Sequence, residues 1–554
     1  MAIRISLRMV CTATLAGIAT VVLAGSFLDP SGAALIAPTN PVAPTSVTAT
    51  LTGSTVTVSW SAPREPDASW FTVTAGEAQH GLVGERSCTG CSSLTWPGLR
   101  SGMRYWFGVD AAVSGAQSAT TTAAAVTVAA DPGCPASTPC VLIDGTNPVG
   151  AELHPGSGFV HGITSSTAAG PLDAVAAGTW RVAASTAPTA LQAARDTGAS
   201  VTAVLSDAWW KKTYTTARGG AISPWTEWST YKAWVTSFVQ QAEAAGAAPD
   251  YWDIQNEPEA PNYYDPNNKP TRANVLRQYA VAYAAIKAAD PNAKVLGPSI
   301  TWGFDQPTWP VDMRSIIDYA AANRLTFDAL TWHEDGDGEN VDRRPESIAD
   351  HVATVQQYLS RYPQLGRPLI MVNEYSGPTY GHRPGWLVSY FASLERANVR
   401  GGDLSCWHGQ CFTDPGTIDG ILTTNDGPTS AFWTFARYAA LAGQRLTTSS
   451  TDDHVNAVAA ADANGAVRLL VGRDDVDPSN GGTAPAADVT VLLNVPSAVT
   501  TVQVASELLS DDPSITAPQP LPSQTVTVSN GRAAIVIPAL AHSAAASLTV
   551  TPGS

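Results

Sequence analysis

Alternation of apolar and polar positions marks the first structured part of the chain. Thr55-Val-Thr-Val-Ser-Trp60 and Phe71-Thr-Val-Thr74 alternate with period two. Leu99-Arg-Ser-Gly-Met-Arg-Tyr105-Trp-Phe-Gly-Val109 reads as a turn leading into a further alternating strand. From about Gly158 to Gly443 the pattern changes. Apolar runs at Phe159–Ile163, Thr179–Ala184, Val201–Leu205, Trp252–Gln255, Val295–Pro298, Leu330–His333, Leu369–Asn373 and Asp403–Trp407 are separated by stretches with helical period, among them Tyr231–Ala245, Val275–Ala289, Ile348–Tyr362, Trp386–Ala397 and Phe432–Leu441. Eight strand signals with helices between them predict a (β/α)8 barrel. An open doubly wound sheet is the alternative, but no Gly-rich phosphate loop follows the first strand. Past Gln444 short alternating runs return, at Val467–Gly472, Val489–Val495, Val499–Ala505, Thr525–Val528, Ala533–Ile537 and Ser547–Val550. They predict a C-terminal β-sandwich, which a run at Val141–Ile143, ahead of the barrel, is placed to join.

The expected organisation is therefore multidomain: a targeting segment over 1–34, an all-β domain over 35–131, a catalytic-sized α/β barrel over 132–443 and a β-sandwich over 444–554. A length of 554 residues requires several cores. Arg4 and Arg8, the apolar stretch Met9–Gly25 and the small residues Ser31-Gly32-Ala33-Ala34 read as a secretory signal peptide, with an uncleaved N-terminal anchor as the alternative. No membrane insertion is expected beyond it. Of seven cysteines, Cys11 falls in that segment. The others form close pairs, 88 with 91, 134 with 140 and 406 with 411, as expected of short-loop disulfides in an oxidising compartment. Zinc at Cys88-Thr-Gly-Cys91 would need further ligands that the neighbourhood lacks. We therefore expect a secreted, extracellular protein.

Composition narrows the partner. Hydrophobic residues make up 44% and charged residues 14%, and the net charge is −16. Such a chain repels phosphate backbones, so nucleic acid is not an expected partner. The 17 Trp suit a neutral ligand with apolar ring faces, that is, carbohydrate, although most indoles belong to cores. No protein partner can be named.

The all-β segment resembles a fibronectin type III domain. Trp60-Ser-Ala-Pro63 supplies the buried Trp, and Leu99–Val109 the turn and following Tyr of a tyrosine corner. Such domains serve as spacers or adhesive modules, so no chemistry is assigned to this one.

Hydrolysis of a glycosidic bond needs two carboxyl groups flanking the anomeric carbon, and on a barrel reacting groups sit at strand C-termini. Two strands deliver Glu to that position. The fourth reads Tyr251-Trp-Asp-Ile-Gln-Asn256-Glu257-Pro258. The seventh reads Pro368-Leu-Ile-Met-Val-Asn-Glu374-Tyr375. Strands four and seven face each other across an eight-strand mouth. Asn256-Glu257-Pro258 with Glu374 resembles the clan of retaining (β/α)8 glycosidases. The trailing sandwich and Trp332-His333-Glu334 look most like glycoside hydrolase family 39, the β-xylosidase group. The resemblance implies Glu257 as acid/base, Glu374 as nucleophile and Asn256 as a ligand of the sugar 2-hydroxyl, with no metal or organic cofactor. Structural alternatives are a turn Glu before Pro258 and a buried, Arg-paired carboxylate.

Further candidates surround the pair. Arg181 is placed to pair with Glu374, His333 to orient the nucleophile or bind a hydroxyl, and Tyr375 to reach the site or pack. Trp407 is placed to floor the pocket and Trp209 to line outer subsites. The rival readings are a non-catalytic carbohydrate-binding barrel and an adhesion protein. A serine hydrolase would need a Gly-x-Ser-x-Gly elbow, which is absent.

Overall fold

The computed structural model describes residues 42–553 apart from 53–54, 64–69, 78–80, 89, 97–98, 101, 114–115, 136, 164–168, 184–187, 207–223, 260–270, 302–303, 305–308, 336–344, 378–379, 407–416, 478–481, 513 and 515–516. The segment expected to be a signal peptide lies outside the described residues. No helix among those described is long and apolar enough to cross a membrane.

The N-terminal domain is built from antiparallel strands in two sheets. One holds Thr45–Thr52, Thr55–Ser61 and Ser93–Trp96. The other is built around Gly81–Cys88, Trp70–Glu77 and Arg104–Val113. The alternation seen in sequence is realised as burial: Val56, Val58, Trp60, Phe71, Val73, Phe107 and Val109 form one core. The Tyr105 hydroxyl accepts the Arg100 amide at 3.0 Å, which is the expected tyrosine corner. Disulfides join Cys88 to Cys91 and Cys134 to Cys140. Cys406 is disulfide-bonded as well, while Cys411 lies outside the described residues.

Eight parallel strands close into a barrel. In order they are Gly158–Phe159, Thr179–Ala183, Ser200–Val204, Tyr251–Asp253, Val295–Ile300, Ala329–Glu334, Leu369–Tyr375 and Gly401–Leu404. Each overlaps an apolar run read from the sequence, strand one at Phe159 alone and strand eight at Asp403 and Leu404. Trp180, Trp252 and Trp332 are fully buried and belong to the main apolar core. A separate small cluster of Leu296, Ala329 and Met371 excludes water from one end of the barrel interior. Inward positions nearer the strand C-termini are polar.

The strand Cys140–Ala151 precedes the barrel but does not join it. It pairs antiparallel with Gln444–Ser450 and parallel with Ala487–Asn494, within a ten-stranded C-terminal sheet. The segments 132–443 and 444–554 are thus continuous in sequence but interleaved in space. Val491 and Ile535 share a single apolar core with Val504 and Val550, from the other end of the strand order. The helix Pro384–Arg396 packs on the strands Val455–Ala461 and Val467–Arg473. Gly385 permits this contact, because a Cβ there would fall 1.9 Å from the Arg473 carbonyl oxygen.

Candidate active site

Strand alternation sets which side chains reach the barrel interior. Arg181 from strand two, Asp253 from strand four, Ser299 from strand five, Thr331 and His333 from strand six and Asn373 and Glu374 from strand seven converge there, all buried. Asn373 and Glu374 are consecutive, so strict alternation would separate them. An irregularity in pairing solves this: Trp332 opposes Val372 and His333 opposes Glu374, leaving Asn373 as an extra residue that lets both side chains turn inward.

Arg181 is the hub. Its Nη1 donates to Glu374 Oε1 at 2.5 Å. Its Nε and Nη2 donate to Asp253 Oδ2 at 3.0 and 2.8 Å, and Nη2 also donates to Asn256 Oδ1 at 2.8 Å. Asp253 accepts from Ser299 Oγ at 2.8 Å and from Asn373 Nδ2 at 3.0 Å. A fully buried guanidinium between two carboxylates is compensated in charge and held in one orientation by this fork geometry. Burial opposes the charge on Arg181, but the carboxylates of Asp253 and Glu374 raise its proton affinity further. Burial raises Asp253, against the pull of Arg181.

Glu257 stands just past the end of strand four, about 15% of its side chain exposed. Its backbone is left-handed, φ 45°. His333 links it to Glu374: Nδ1 lies 3.1 Å from Glu257 Oε1 and Nε2 lies 3.7 Å from Glu374 Oε1. Burial disfavours a charged imidazole, yet the charges of Glu374 and Glu257 and the hydrogen bond to Glu257 prevail and push His333 up to about 9.

Two contributors were not foreseen in the sequence. Asp335, two residues beyond His333, brings Oδ2 to 3.8 Å from His333 Nδ1. Glu257, His333, Asp335 and Glu374 each place one donor atom within 4.8 Å of the others, a set that can also grip a metal ion. His161, just past strand one, is fixed by Asp419, with Nδ1 2.7 Å from Oδ1 and its own amide donating to Oδ2 at 2.6 Å. Burial lowers its proton affinity, but the bond to Asp419 and the charges of Asp419 and Glu374 raise it overall. His161 sits inside the apolar run Phe159–Ile163, where no carboxylate marks the strand end, and its partner Asp419 is 258 positions away.

Of the expected site residues, Glu257, Glu374, Asn256, Arg181 and His333 come together. Tyr375 does not. It faces away from the carboxylates, its hydroxyl donating to the Gly156 carbonyl at 2.5 Å and its ring centred 5.0 Å from that of Tyr390. Adjacency to Glu374 places it on the opposite face of the strand, so it is a core residue and not a substrate ligand. Trp407 and Trp209 lie outside the described residues.

Fold and site together define a (β/α)8 barrel with a carboxylate pair at its mouth, carrying a β-sheet domain on each side in sequence. Residues 42–127 match the fibronectin type III domain model. The chain is similar in structure to a protein of Neocallimastix frontalis, N2152, at 18% identity and TM-score 0.60, over 75% of this chain and 100% of that one. It is similar to a monomeric β-xylosidase of Caulobacter crescentus CB15, at 14% identity and TM-score 0.52, over 75% and 100%. It is also similar to the GH39 enzyme of Xanthomonas axonopodis pv. citri, at 15% identity and TM-score 0.51, over 76% and 98%. These likenesses establish a shared fold. None of the curated proteins matches the chain in sequence.

Proposed function

We propose that this protein is a secreted glycosidase that cleaves O-glycosidic bonds with retention, using Glu374 as nucleophile and Glu257 as acid/base. The observation that carries this reading is the approach of the two carboxylates, whose donor atoms lie within 4.8 Å at the mouth of the barrel. Retaining enzymes need carboxyl groups about 5–5.5 Å apart, whereas inverting ones need roughly 6.5–9.5 Å to admit a water.

The chemistry follows from the contacts. Glu374 attacks the anomeric carbon while Glu257 gives its proton to the departing oxygen, so the C–O bond breaks and a glycosyl ester forms. His333 Nδ1, 3.1 Å from Glu257 Oε1, orients the Glu257 carboxyl group for this proton transfer. In the second step the Glu257 carboxylate takes a proton from water, the water oxygen bonds to the anomeric carbon, and Glu374 leaves as carboxylate. Asn256 Oδ1 is engaged by Arg181, so its amide nitrogen is the group offered to a sugar hydroxyl.

Carbohydrate of plant or microbial origin is the natural substrate of an exported enzyme of this kind, and β-xylosides are the first to test. A panel of nitrophenyl glycosides and polysaccharides, run beside Glu374→Ala, tests the reading. Turnover in the wild type that vanishes in the variant supports it. A protein that binds sugars but turns over none would instead be a carbohydrate-binding barrel.

A further inference from the structure

The fibronectin type III domain does not hang from a linker. Its strand Gly81–Cys88 packs on the helix Ile348–Ser360, which follows barrel strand six. At the centre of that contact Arg86 and Asp350 are both 8% exposed. Arg86 Nε donates to Asp350 Oδ1 at 2.6 Å, Nη2 donates to the same oxygen, and Nη1 donates to the Thr95 carbonyl at 2.9 Å. The guanidinium carbon sits 4.7 Å over the Trp96 ring. Two further ionic ties run to the C-terminal domain: Arg100 Nη1 to Asp453 Oδ1 at 3.0 Å, and Asp131 Oδ1 to Arg532 Nη1 at 2.7 Å.

The helix held by Arg86 reaches the active site in one further contact. His351, next to Asp350, has Nδ1 2.6 Å from Glu334 Oε1. That oxygen also accepts Trp332 Nε1 at 2.5 Å, and the Glu334 carbonyl accepts the Tyr390 hydroxyl at 3.2 Å. Glu334 is fully buried and ends strand six, between His333 and Asp335. Every link is a buried hydrogen bond or a peptide bond, so a displacement of the helix has a path to the imidazole that bridges Glu257 and Glu374.

We infer that the fibronectin type III domain is a working part of the catalytic unit, with Arg86 a positioning residue that fixes the strand-six end through Asp350, His351 and Glu334. This rests on the glycosidase reading for its kinetic consequence but not for its structural one. Geometry at a reacting centre is unforgiving, and an ångström of misplacement costs up to about 100-fold in rate.

The test is made in the full chain. Arg86→Met keeps the stem over Trp96 and removes the charge and donors. On an aryl glycoside that the wild type hydrolyses, we expect kcat to fall roughly 10- to 100-fold, with KM nearly unchanged. Hydrogen exchange should quicken in peptides covering 329–335 and 348–360. Arg86→Met combined with Asp350→Asn leaves no lone buried carboxylate and should recover part of both signals. If Arg86→Met does not fold, Arg86→Lys is read on the same measurements. A merely structural tie would lower melting temperature and leave kcat and exchange at 329–335 untouched, and that result overturns the inference. A wild type that turns over no glycoside would sink the glycosidase reading alone, since the exchange measurement still decides the coupling.

Discussion

The Glu257 amide donates to the Ser299 carbonyl at 2.9 Å, and both residues hold left-handed backbone, φ 45° and 53°. Such a conformation costs a residue with a Cβ on the order of 1–3 kcal/mol and persists only where surroundings over-determine it. Here they do. Ser299 Oγ donates to Asp253 at 2.8 Å and accepts Asn373 Nδ2 at 2.8 Å, so strands four, five and seven are laced beneath Glu257. Ser299→Ala should keep the fold, lowering stability by about 1–2 kcal/mol, and reduce kcat more than it changes KM. Circular dichroism melts and steady-state kinetics check both halves, and an unaltered kcat would show that Glu257 is positioned by other means.

Arg181 answers two buried carboxylates and Asn256 at once. Arg181→Met strands Asp253 and Glu374 without their counter-ion, and breaking a buried pair this way costs roughly 3–5 kcal/mol. Arg181→Lys keeps the charge but cannot serve all three acceptors from one ammonium. The Lys variant should be the more stable of the two and still lose most turnover. Denaturant unfolding and kcat/KM separate the outcomes. Equal activity of the Lys variant and wild type would mean that charge alone, not the fork geometry, is needed.

Much of this arrangement is legible in the sequence. The strand positions are apolar runs, and each Glu sits where such a run ends. The charged Arg181 between Trp180 and Val182 is conspicuous, because a lone cation in a buried strand has to face the barrel interior. What escapes is non-local. Asn373 enters the site only through a pairing irregularity that no single strand encodes. Of the two places open to Tyr375, reaching the site or packing, alternation from Glu374 selects the far face, where it packs on Tyr390. The Arg86–Asp350 bond joins residues 264 positions apart, and nothing around either one marks the other as its partner.

His382 supplies a test of pH dependence. It is buried after strand seven, its Nε2 2.6 Å from the Asp419 carbonyl, and burial, only partly opposed by that bond, lowers it to about 4. A histidine lowered on folding contributes stability that is complete above its unfolded value of 6.5 and is lost as pH falls from there towards 4. His382→Gln keeps a donor for Asp419 and removes the titration. Between pH 7 and 4.5 the wild type should lose up to about 3 kcal/mol that the variant does not. Parallel acid-limb curves from urea unfolding at each pH would refute the assignment.

The donor set of Glu257, His333, Asp335 and Glu374 makes a clear prediction about metals. If these groups serve acid–base and nucleophilic chemistry, chelator treatment leaves turnover unchanged. Added Zn²⁺ or Cu²⁺ should inhibit, since the same atoms suit either ion, and saturating substrate should protect. Loss of activity on chelation, restored by one divalent ion, would transfer the site to metal-assisted chemistry.

Stereochemistry decides between the two ways a pair of carboxylates can work. On the proposed reading, one carboxylate oxygen each of Glu257 and Glu374 within 4.8 Å suits direct attack by Glu374 rather than attack through an intervening water. Two displacements at one carbon restore its configuration. Glu374→Ala removes the attacking group and should abolish turnover of every substrate. Glu257→Ala removes a proton donor and later a base, so its effect should depend on the leaving group. Dinitrophenolate departs unaided, and with it the slow step becomes hydrolysis of the glycosyl ester. Azide, needing no base, should then accelerate release and appear in the product as a glycosyl azide of retained configuration. Proton NMR of the first product from wild type reads the anomer before mutarotation. Retention supports the assignment of both residues. Inversion would make Glu374 a base acting through water, and azide would then fail to rescue Glu257→Ala.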